Sequence, residues 1–246
     1  MFVKIVEKFL QLLFRLIGVG YGSSSLSMEV KSVKKLIGDG NVFIDCGGNI
    51  GNYTNEILKV FSNSKVHVFE PSKKNIQILN SKFKDKKNVV INGVGLSNIN
   101  DESLLYSNES GSGLGSLTKR RLDHFGMEFD FSEKIKLTRL DKYWSENIKS
   151  EFIDLLKIDV EGHELNVLEG LGGKIENVRS IQFEFGGCNI DTKTYFQDFW
   201  YFFKEHDFTV FRISPIGLIK IKKYKELYES FTTTNFISIN NTLVKN

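Results

Sequence analysis

Two acidic residues and a glycine-rich turn have the spacing of a nucleoside-binding site. The apolar run Val42–Cys46 contains Asp45, and the turn that follows it ends at Gly51. Glycines let the backbone pass close to a ligand and adopt positive φ angles. The next apolar run ends in Glu70, 19 residues after Gly51, where a carboxylate can accept both ribose hydroxyls.

The turn does not match the common phosphate-binding loops. Gly47 cannot open a dinucleotide fingerprint, because Asn49 and Asn52 stand where glycine is required. Gly48 fails in the same way, since Ile50 follows it at the required glycine position. No Lys-Ser/Thr pair follows, which also excludes a Walker loop.

A second acidic cluster follows a later apolar run, Ile153–Asp159. Asp159 ends the run and Glu161 comes two residues later, so we expect both carboxylates in one cleft. His163 opens the following helix, whose dipole lowers the imidazole pKa and keeps it neutral, as a general base requires. We predict Asp159, Glu161 and His163 as catalytic residues, with His124 as an alternative base.

Contacts to a second substrate are predicted in a Gly/Ser-rich stretch, residues 98–133. This stretch interrupts the alternation of strands and helices, and we expect it to close over the acceptor as a lid. The predicted acceptor contacts are Ser112, Ser116 and Arg120 in this stretch and Glu184 outside it. Arg120 belongs to a basic run that can meet a phosphate, although a solvated basic face is an alternative.

The residue pattern offers little for a metal or a disulfide. Cys46 and Cys188 form no CxxC motif and no Cys/His cluster. Asp159, Glu161 and Glu184 are conceivable Mg²⁺ ligands, but they lack a known coordination spacing. We therefore predict no metal site.

Strands alternating with helices must position these residues. The apolar runs predicted as strands are Val42–Cys46, Val66–Glu70, Val89–Asn92, Ile153–Asp159, Ile181–Phe185 and Phe208–Ile213. The predicted helices are Tyr53–Phe61, Lys73–Phe83, Glu164–Leu168 and Tyr195–His206. This order implies right-handed crossovers and a mostly parallel sheet covered on both faces. Leu218–Ile221 and Asn235–Ile239 are expected to add antiparallel strands at one edge.

The N-terminal segment predicts an amphipathic helix. Its polar residues, spaced 3, 1, 3 and 4 apart, fall on one narrow face: Lys4, Glu7, Lys8, Gln11 and Arg15. These charges argue against a spanning helix and a cleaved signal peptide. We expect the helix to dock on the domain or to form a homodimer, with peripheral membrane contact as the alternative. Residues 1–30 are predicted to be this helix and a Gly/Ser connector, and residues 31–246 the main domain.

Composition bounds the class of protein. The 246 residues are 41% hydrophobic and 26% charged, which fits a folded domain and excludes disorder and a disulfide scaffold. The net charge of +3 (33 basic minus 30 acidic residues) is too small to predict nucleic-acid binding, and we expect no nucleic-acid partner. Cysteine usage favours a reduced, cytoplasmic location, at the inner face of the membrane if the helix binds lipid. The abundance of Lys, Asn and Ile suggests a bacterial gene.

The most specific motif is Lys-Ile-Asp-Val-Glu-Gly-x-Glu, within Leu155–Gly170. Together with the Asp45–Gly51 loop, Glu70-Pro71, Leu140-Asp141 and Phe183-Glu184, it resembles the FkbM family of methyltransferases. The likeness covers about residues 40–240, in order and without large gaps. The N-terminal helix lies outside it.

This resemblance implies a Rossmann-like class I methyltransferase fold with a mostly parallel seven-stranded sheet. It also implies S-adenosylmethionine as donor and usually a hydroxyl acceptor, on sugars, cell-surface glycans or polyketide-type products. It assigns the donor site to Asp45, Gly47, Asn49, Gly51, Glu70 and Gly95, and it implies that Asp45 takes the ammonium group of the donor, directly or through water. Asp159 and Glu161 map to the floor of the cleft. We predict O-methylation of a sugar or cell-surface glycan precursor.

Two other functions stay open at this stage. An RNA methyltransferase would share the same donor site, although the small net charge and the lack of an appended nucleic-acid module argue against it. A non-catalytic S-adenosylmethionine-binding scaffold would use the N-terminal helix to recruit a partner. The presence of Asp45, Glu70 and Asp159 argues against that scaffold.

Overall fold

The computed structural model describes residues 2–21 and 26–244 as a large sheet with helices on both faces. The helices are α1 (Phe2–Leu16), α2 (Leu26–Ile37), α3 (Asn52–Val60), α4 (Lys73–Lys82), α5 (Leu140–Asn147), α6 (Glu164–Glu169), α7 (Cys188–Thr192) and α8 (Phe196–Glu205). The strands are β1 (Val42–Cys46), β2 (Lys65–Phe69), β3 (Val89–Asn92), β4 (Gly95–Leu96), β5 (Glu102–Ser107), β6 (Phe131–Thr138), β7 (Leu155–Ile158), β8 (Ser180–Phe185), β9 (Phe208–Ser214), β10 (Gly217–Lys220) and β11 (Thr234–Asn240). Short 3₁₀ helices cover Asp123–Phe125, Gly172–Asn177 and Glu226–Tyr228.

The large sheet has eight strands in the order β10-β9-β11-β8-β7-β1-β2-β3. β1 lies in the interior and pairs in parallel with β2 and β7, and β3 and β8 extend the parallel set. The predicted mostly parallel α/β fold is confirmed. The sheet has eight strands rather than seven because β10 pairs antiparallel with β9 at the edge.

The antiparallel direction predicted for Asn235–Ile239 is correct, but its predicted place at the edge is wrong. β11 lies between β8 and β9 and is hydrogen-bonded to both. Its residues Phe236, Ile237 and Ile239 are all buried. An interior strand buries side chains on both faces, which explains why this apolar segment does not lie at the edge.

Side chains of β1 alternate between two hydrophobic cores. Phe43 packs with residues of α2, α3 and α4, whereas Ile44 and Cys46 pack with residues of α5, α6 and α8. Burial on both faces holds the strand in one register, since a shift by one residue would exchange the two sets. In α/β folds, ligands bind beyond the carboxyl ends of the parallel strands. The residues that follow β1 lie at such a position.

Residues 98–133, predicted as a lid, form much of a second small sheet instead. Its order is β4-β6-β5, with β5 and β6 antiparallel. Leu105, Ile135 and Leu137 make a small core of their own. This sheet stands beside the carboxyl ends of β1 and β2 and supplies one wall of the site described below.

One helix lies across the domain boundary predicted at residue 30. α2 crosses that boundary and packs on α3, with Val30 and Val33 fully buried. The predicted connector is packed where the structure describes it: a Cβ on Gly18 (φ 89°) would lie 2.2 Å from the Ile213 carbonyl oxygen. Residues 22–25 of that connector lie outside the described residues.

None of the residues of helix α1 is buried, so α1 does not dock on the domain, while docking on a second subunit stays a prediction. Within residues 2–21 and 26–244, no helix is long and apolar enough to cross a membrane.

Candidate active site

A first cavity opens where β1 and β2 end beside the small sheet. Its apolar wall comes from both sheets: Phe69, Pro71, Leu96, Leu105, Leu117, Ile135 and Leu137. Its polar residues are Asn49, Glu70, Ser112, Asp159, Glu161 and His163. An apolar slot with a few fixed polar groups is the usual character of a small-molecule site.

Glu70 is held rigidly in this first cavity. Its carboxylate accepts the backbone N–H groups of Asn49 and Ser72, each at 2.8 Å. Burial raises the pKa of Glu70, and the two amide hydrogen bonds oppose that rise. A carboxylate has about four acceptor positions, so Glu70 can still accept hydrogen bonds from a ligand, as predicted for ribose hydroxyls.

The glycine turn is clamped between β2 and β7. Gly47 has a φ of 78°, and a Cβ there would lie 1.8 Å from the Asp159 carbonyl oxygen, so only glycine fits. The N–H groups of Gly47 and Gly48 both donate to the Phe69 carbonyl at 3.0 Å. Asn49 is thereby held on the cavity wall.

Asp45 differs from its prediction, because its carboxylate does not line the cavity. Asp45 is fully buried, accepts the Thr54 hydroxyl at 2.6 Å and lies 3.2 Å from the Lys157 ammonium. Asp45 and Lys157 are register partners on adjacent strands, which puts their side chains on the same face. Lys157 therefore occupies the place that the sequence assigned to a ligand amino group.

Lys157 is a site residue that sequence reasoning missed. Its ammonium donates to the Gly47 carbonyl at 3.0 Å and lies 3.5 Å from an Asp159 carboxylate oxygen. Burial lowers the Lys157 pKa, but Asp45 and Asp159 outweigh burial and leave it raised. The available signal was one charged residue inside the apolar strand Leu155–Ile158.

A second cavity lies on the other side of the glycine turn, and we call it the acidic cavity. Its residues are Leu26, Glu29, Gly47, Gly48, Asn49, Ile50, Asn52, Tyr53, Lys157, Ile158, Asp159, Gln182, Glu184 and Asn235. Gly47, Asn49 and Asp159 line both cavities. Asp159 is the one carboxylate shared by the two cavity walls, and its side chain is 41% exposed.

Glu161 lines the first cavity, but its carboxylate already has a partner. Arg120 forms an ion pair with it at 2.5 Å and also lies 3.4 Å from Asp191. The Ser116 hydroxyl donates to the Glu161 carbonyl at 2.8 Å. Burial raises the Glu161 pKa, as does the neighbouring carboxylate of Asp159, and Arg120 opposes both.

These contacts change two of the predicted acceptor residues. Arg120 is largely buried between Glu161 and Asp191, and Ser116 is fully buried, so both shape the first cavity from behind. Ser112 lines the first cavity, and Glu184 lines the acidic one. In the described chain, residues 98–133 contribute to the lining of the first cavity and none of them lines the acidic cavity.

The two candidate histidines differ in position. His163 lines the first cavity, where its ring nitrogens lie 2.9 Å from the Thr118 hydroxyl and 3.2 Å from the Asn166 side-chain oxygen. Burial lowers its pKa, which agrees with a neutral imidazole. His124 lies exposed in a 3₁₀ helix and lines neither cavity.

Two of the glycines predicted for the donor site also differ in position. Gly95 lines the first cavity, where a Cβ would lie 2.9 Å from Leu137. Gly51 lines neither cavity and instead packs against Phe83 at the start of α3. Across residues 2–21 and 26–244, no group of three or more His, Cys, Asp or Glu side chains is arranged to hold a metal ion.

The strand order, the glycine turn and the acid after β2 define the class I methyltransferase architecture. Residues 45–210 match the model of the methyltransferase FkbM domain. The chain therefore belongs to the FkbM methyltransferase family, and its methyl donor is S-adenosylmethionine.

The chain is also similar to individual proteins. "Methyltransferase 1" of Beauveria bassiana is 23% identical over 176 residues, which is 61% of this chain and 71% of that protein. A proposed rRNA methylase from Clostridium thermocellum superposes with a TM-score of 0.51 and 12% identity, over 87% of this chain and 94% of that chain. That likeness shows the fold alone. M. capricolum TrmK, in complex with S-adenosylhomocysteine, has a TM-score of 0.46 and 11% identity, over 88% of this chain and 69% of that chain.

Proposed function

We propose that this chain methylates a hydroxyl group of a sugar or of a cell-surface glycan precursor. The observation that carries the proposal is the meeting of two unlike cavities at Asp159. One cavity is apolar with a fixed carboxylate, and the other is polar and lined by hydrogen-bonding side chains. An adenosine suits the apolar cavity with its fixed carboxylate, and a polyhydroxyl compound suits the polar cavity.

The first cavity suits the adenosine part of the donor. Phe69, Leu96 and Leu137 offer apolar surface for a base, and Glu70 can accept the ribose hydroxyls. Gly95 leaves space beside Leu137 that a larger side chain would fill. When bound, the donor supplies a methyl group on a positively charged sulfur, which an acceptor oxygen displaces in line.

Asp159 is suited to receive the hydroxyl proton. As the new C–O bond forms, the acceptor oxygen must release its proton, and one carboxylate can accept it. Lys157, 3.5 Å away, holds this carboxylate in place. Glu161 is already paired with Arg120, and His163 has hydrogen-bond partners at both ring nitrogens. These two residues then position the donor, and positioning supplies most of the acceleration in such a displacement.

The test uses S-adenosylmethionine labelled with ¹³C at the methyl group. The purified chain is incubated with it and with soluble, membrane and RNA extracts of the source organism, and the products are analysed by carbon–proton correlation NMR. We expect the label in a methyl ether of a carbohydrate. Label in RNA, or on nitrogen, would contradict the proposal. Failure to transfer label to any extract, with S-adenosylhomocysteine still bound, would favour the scaffold function.

A further inference from the structure

The acidic cavity has more acidic side chains than the single carboxylate that the proton transfer needs. Glu29, Asp159 and Glu184 line it, and Lys157 is its one basic residue. That lysine already contacts Asp45, Asp159 and the Gly47 carbonyl. Its positive charge is therefore used within the protein rather than offered to a ligand.

Glu184 is the residue that points to a ligand. It is half-buried on β8 and lines the acidic cavity, and its side chain forms no hydrogen bond or ion pair with any described residue, although its backbone pairs with β11. Burial raises its pKa well above the ordinary value, and the carboxylates of Asp159, Glu161, Glu164 and Glu29 add to that rise. A buried carboxyl group without a partner is costly in free energy. A hydroxyl-bearing ligand would satisfy it.

Glu29 faces the same space from α2, outside the matched residues 45–210. Its carboxylate accepts the Gln182 amide at 2.6 Å and the Asn235 amide at 3.1 Å. These two contacts orient Glu29 from two different strands, β8 and β11. Its position is therefore built into the fold.

We propose that the acidic cavity binds the reacting end of the acceptor as an uncharged polyol, through Glu29 and Glu184, and excludes phosphate and carboxylate groups from that end. The inference rests on the proposed function and specifies its substrate class. A hydroxyl can exchange hydrogen bonds with a carboxyl group whether that group is protonated or ionised. A phosphate or carboxylate finds no unpaired basic side chain in this cavity, since Lys157 is paired within the protein, and is repelled by any lining carboxylate that is ionised. Arg120, the basic residue predicted for phosphate contact, is paired elsewhere.

The experiment measures methyl transfer to matched acceptors. One set holds free hexoses, deoxyhexoses and their methyl glycosides, and the second holds the corresponding hexose phosphates and uronic acids. The variants are Glu184→Gln and Glu29→Gln, with Glu151→Gln as an exposed control. We expect transfer to neutral members at least tenfold above the anionic ones, and at least a tenfold loss of kcat/KM in Glu184→Gln. S-adenosylhomocysteine affinity should stay within threefold in both variants.

The possible outcomes separate the two proposals. Transfer to hydroxyls of anionic members at equal or greater rates would overturn the charge inference but leave O-methylation standing. An unchanged kcat/KM in both Glu184→Gln and Glu29→Gln would do the same. Transfer to nitrogen or to RNA instead would overturn the proposed function itself.

A second, independent observation concerns α1. Its large apolar side chains are all at least 38% exposed: Phe2, Val3, Ile5, Val6, Phe9, Leu10, Leu12, Leu13, Phe14 and Leu16, with Ile17 just beyond it. The polar residues occupy an arc of roughly 100°, since successive helical residues are about 100° apart. The apolar face therefore covers most of the helix circumference, and a contiguous exposed patch of this kind marks an interaction surface.

The width of the apolar face of α1 and the charge of its polar arc indicate what covers this helix. Two paired helices bury a narrow seam, which would leave much of this wide face in water. The polar arc carries Lys4, Lys8 and Arg15 against Glu7, a net charge of +2. Positive charge beside a broad apolar face is the pattern of a helix lying in an anionic lipid surface. Ile216, 70% exposed in the turn after β9, lies two residues beyond Ser214, whose Cβ would be 3.0 Å from a Cβ on Gly18, so this apolar side chain is near the end of α1.

We infer that α1 holds this chain on an anionic membrane surface, with its apolar face in the lipid. The test is flotation of the full chain with vesicles of phosphatidylcholine alone or with about one-third phosphatidylglycerol. We expect binding at least tenfold stronger to the anionic vesicles, weakening with salt. The doubly substituted variant Phe9→Glu/Leu13→Glu should lose it, while Gln11→Glu on the polar face should keep most of it.

Both substituted side chains are exposed, so the fold is expected to persist, which circular dichroism can check. No binding of the unmodified chain to either vesicle would overturn the inference. A stable dimer in light scattering that Phe9→Glu/Leu13→Glu dissociates, without vesicle binding, would show that a second copy covers α1 instead.

Discussion

The two cavities that meet at Asp159 recognise ligands by different means. The first is walled by apolar side chains from two sheets, and its carboxylate Glu70 is fixed by two backbone amides. The acidic cavity has three carboxylates, and Glu184 among them has no partner in the described chain. The first is preorganised by backbone and packing. The second depends on side-chain charge, so substitutions and pH should affect the two unequally.

The largest effect is expected at the point where the cavities join. Asp159→Asn keeps the size of the side chain but removes the proton acceptor, and general-base catalysis contributes about 10²–10⁴-fold. We expect the single-turnover rate of methyl transfer to fall by about that factor. S-adenosylhomocysteine affinity, measured by calorimetry, should change less than about fivefold. Glu161→Gln serves as the matched control, and a similar rate loss there would assign the proton to Glu161 instead.

Lys157 contacts Gly47 and Asp159, which line both cavities, and its removal should mainly reduce stability. Lys157→Met leaves the fully buried Asp45 without its counter-ion. Breaking a buried pair from one side costs about 3–5 kcal/mol. Urea unfolding should show a loss of this size in the free energy of unfolding.

The double variant Lys157→Met/Asp45→Asn tests the cause. With the buried charge also removed, it should recover at least half of the lost stability. No recovery would mean that Lys157 acts through its contacts with Gly47 and Asp159 rather than through Asp45.

Glu70 and Asp45 each end or nearly end a strand, and they should behave differently. Glu70→Gln removes a charged hydrogen-bond acceptor from the first cavity, worth about 1.5–3 kcal/mol, or about 10–150-fold in S-adenosylhomocysteine affinity. Asp45→Asn should alter stability more than affinity, because Asp45 does not line the cavity. Calorimetry and urea unfolding of both variants test this contrast. Equal affinity losses would show that Asp45 reaches the donor after all.

Sequence reasoning succeeds where one segment supplies both the element and the chemistry. Glu70 follows β2 and Asp159 follows β7, so an apolar run ending in an acid predicted both places. Asp45 had the same pattern, yet its orientation depends on Lys157, which is 112 positions later in the chain. A single segment does not show which partner a buried carboxylate will find.

The wall of the acidic cavity shows a different limit. Leu26, Val30, Val33 and Ile37 are spaced 4, 3 and 4 apart, a helical pattern that predicts α2 once the Gly/Ser run before it is set aside. That Glu29 faces Gln182 and Asn235 could not be predicted, because those residues lie on β8 and on β11, a strand expected at the edge. The contact between Glu29 and Asn235 thus depends on the interior position of β11 in the sheet.

The smallest expected effect is a pH dependence of stability that arises in the acidic cavity. Burial raises the Glu29 pKa from 4.5 to about 7, and Asp159 adds to the rise, while Lys157 and the amides of Gln182 and Asn235 oppose it. Between these pH values the unfolded chain loses the proton that the folded chain keeps. Stability therefore falls as pH rises through this window.

Glu29→Gln removes this titration. The stability advantage of the variant over the unmodified chain should therefore grow by about 1–2 kcal/mol in the free energy of unfolding as the pH is raised from 5 to 8. Urea unfolding at both pH values measures the difference, with Glu151→Gln as a control that should show no such gain. Glu70→Gln in the first cavity should gain less, since backbone amides already compensate part of its burial. An equal gain in Glu70→Gln would remove the electrostatic contrast between the two cavities.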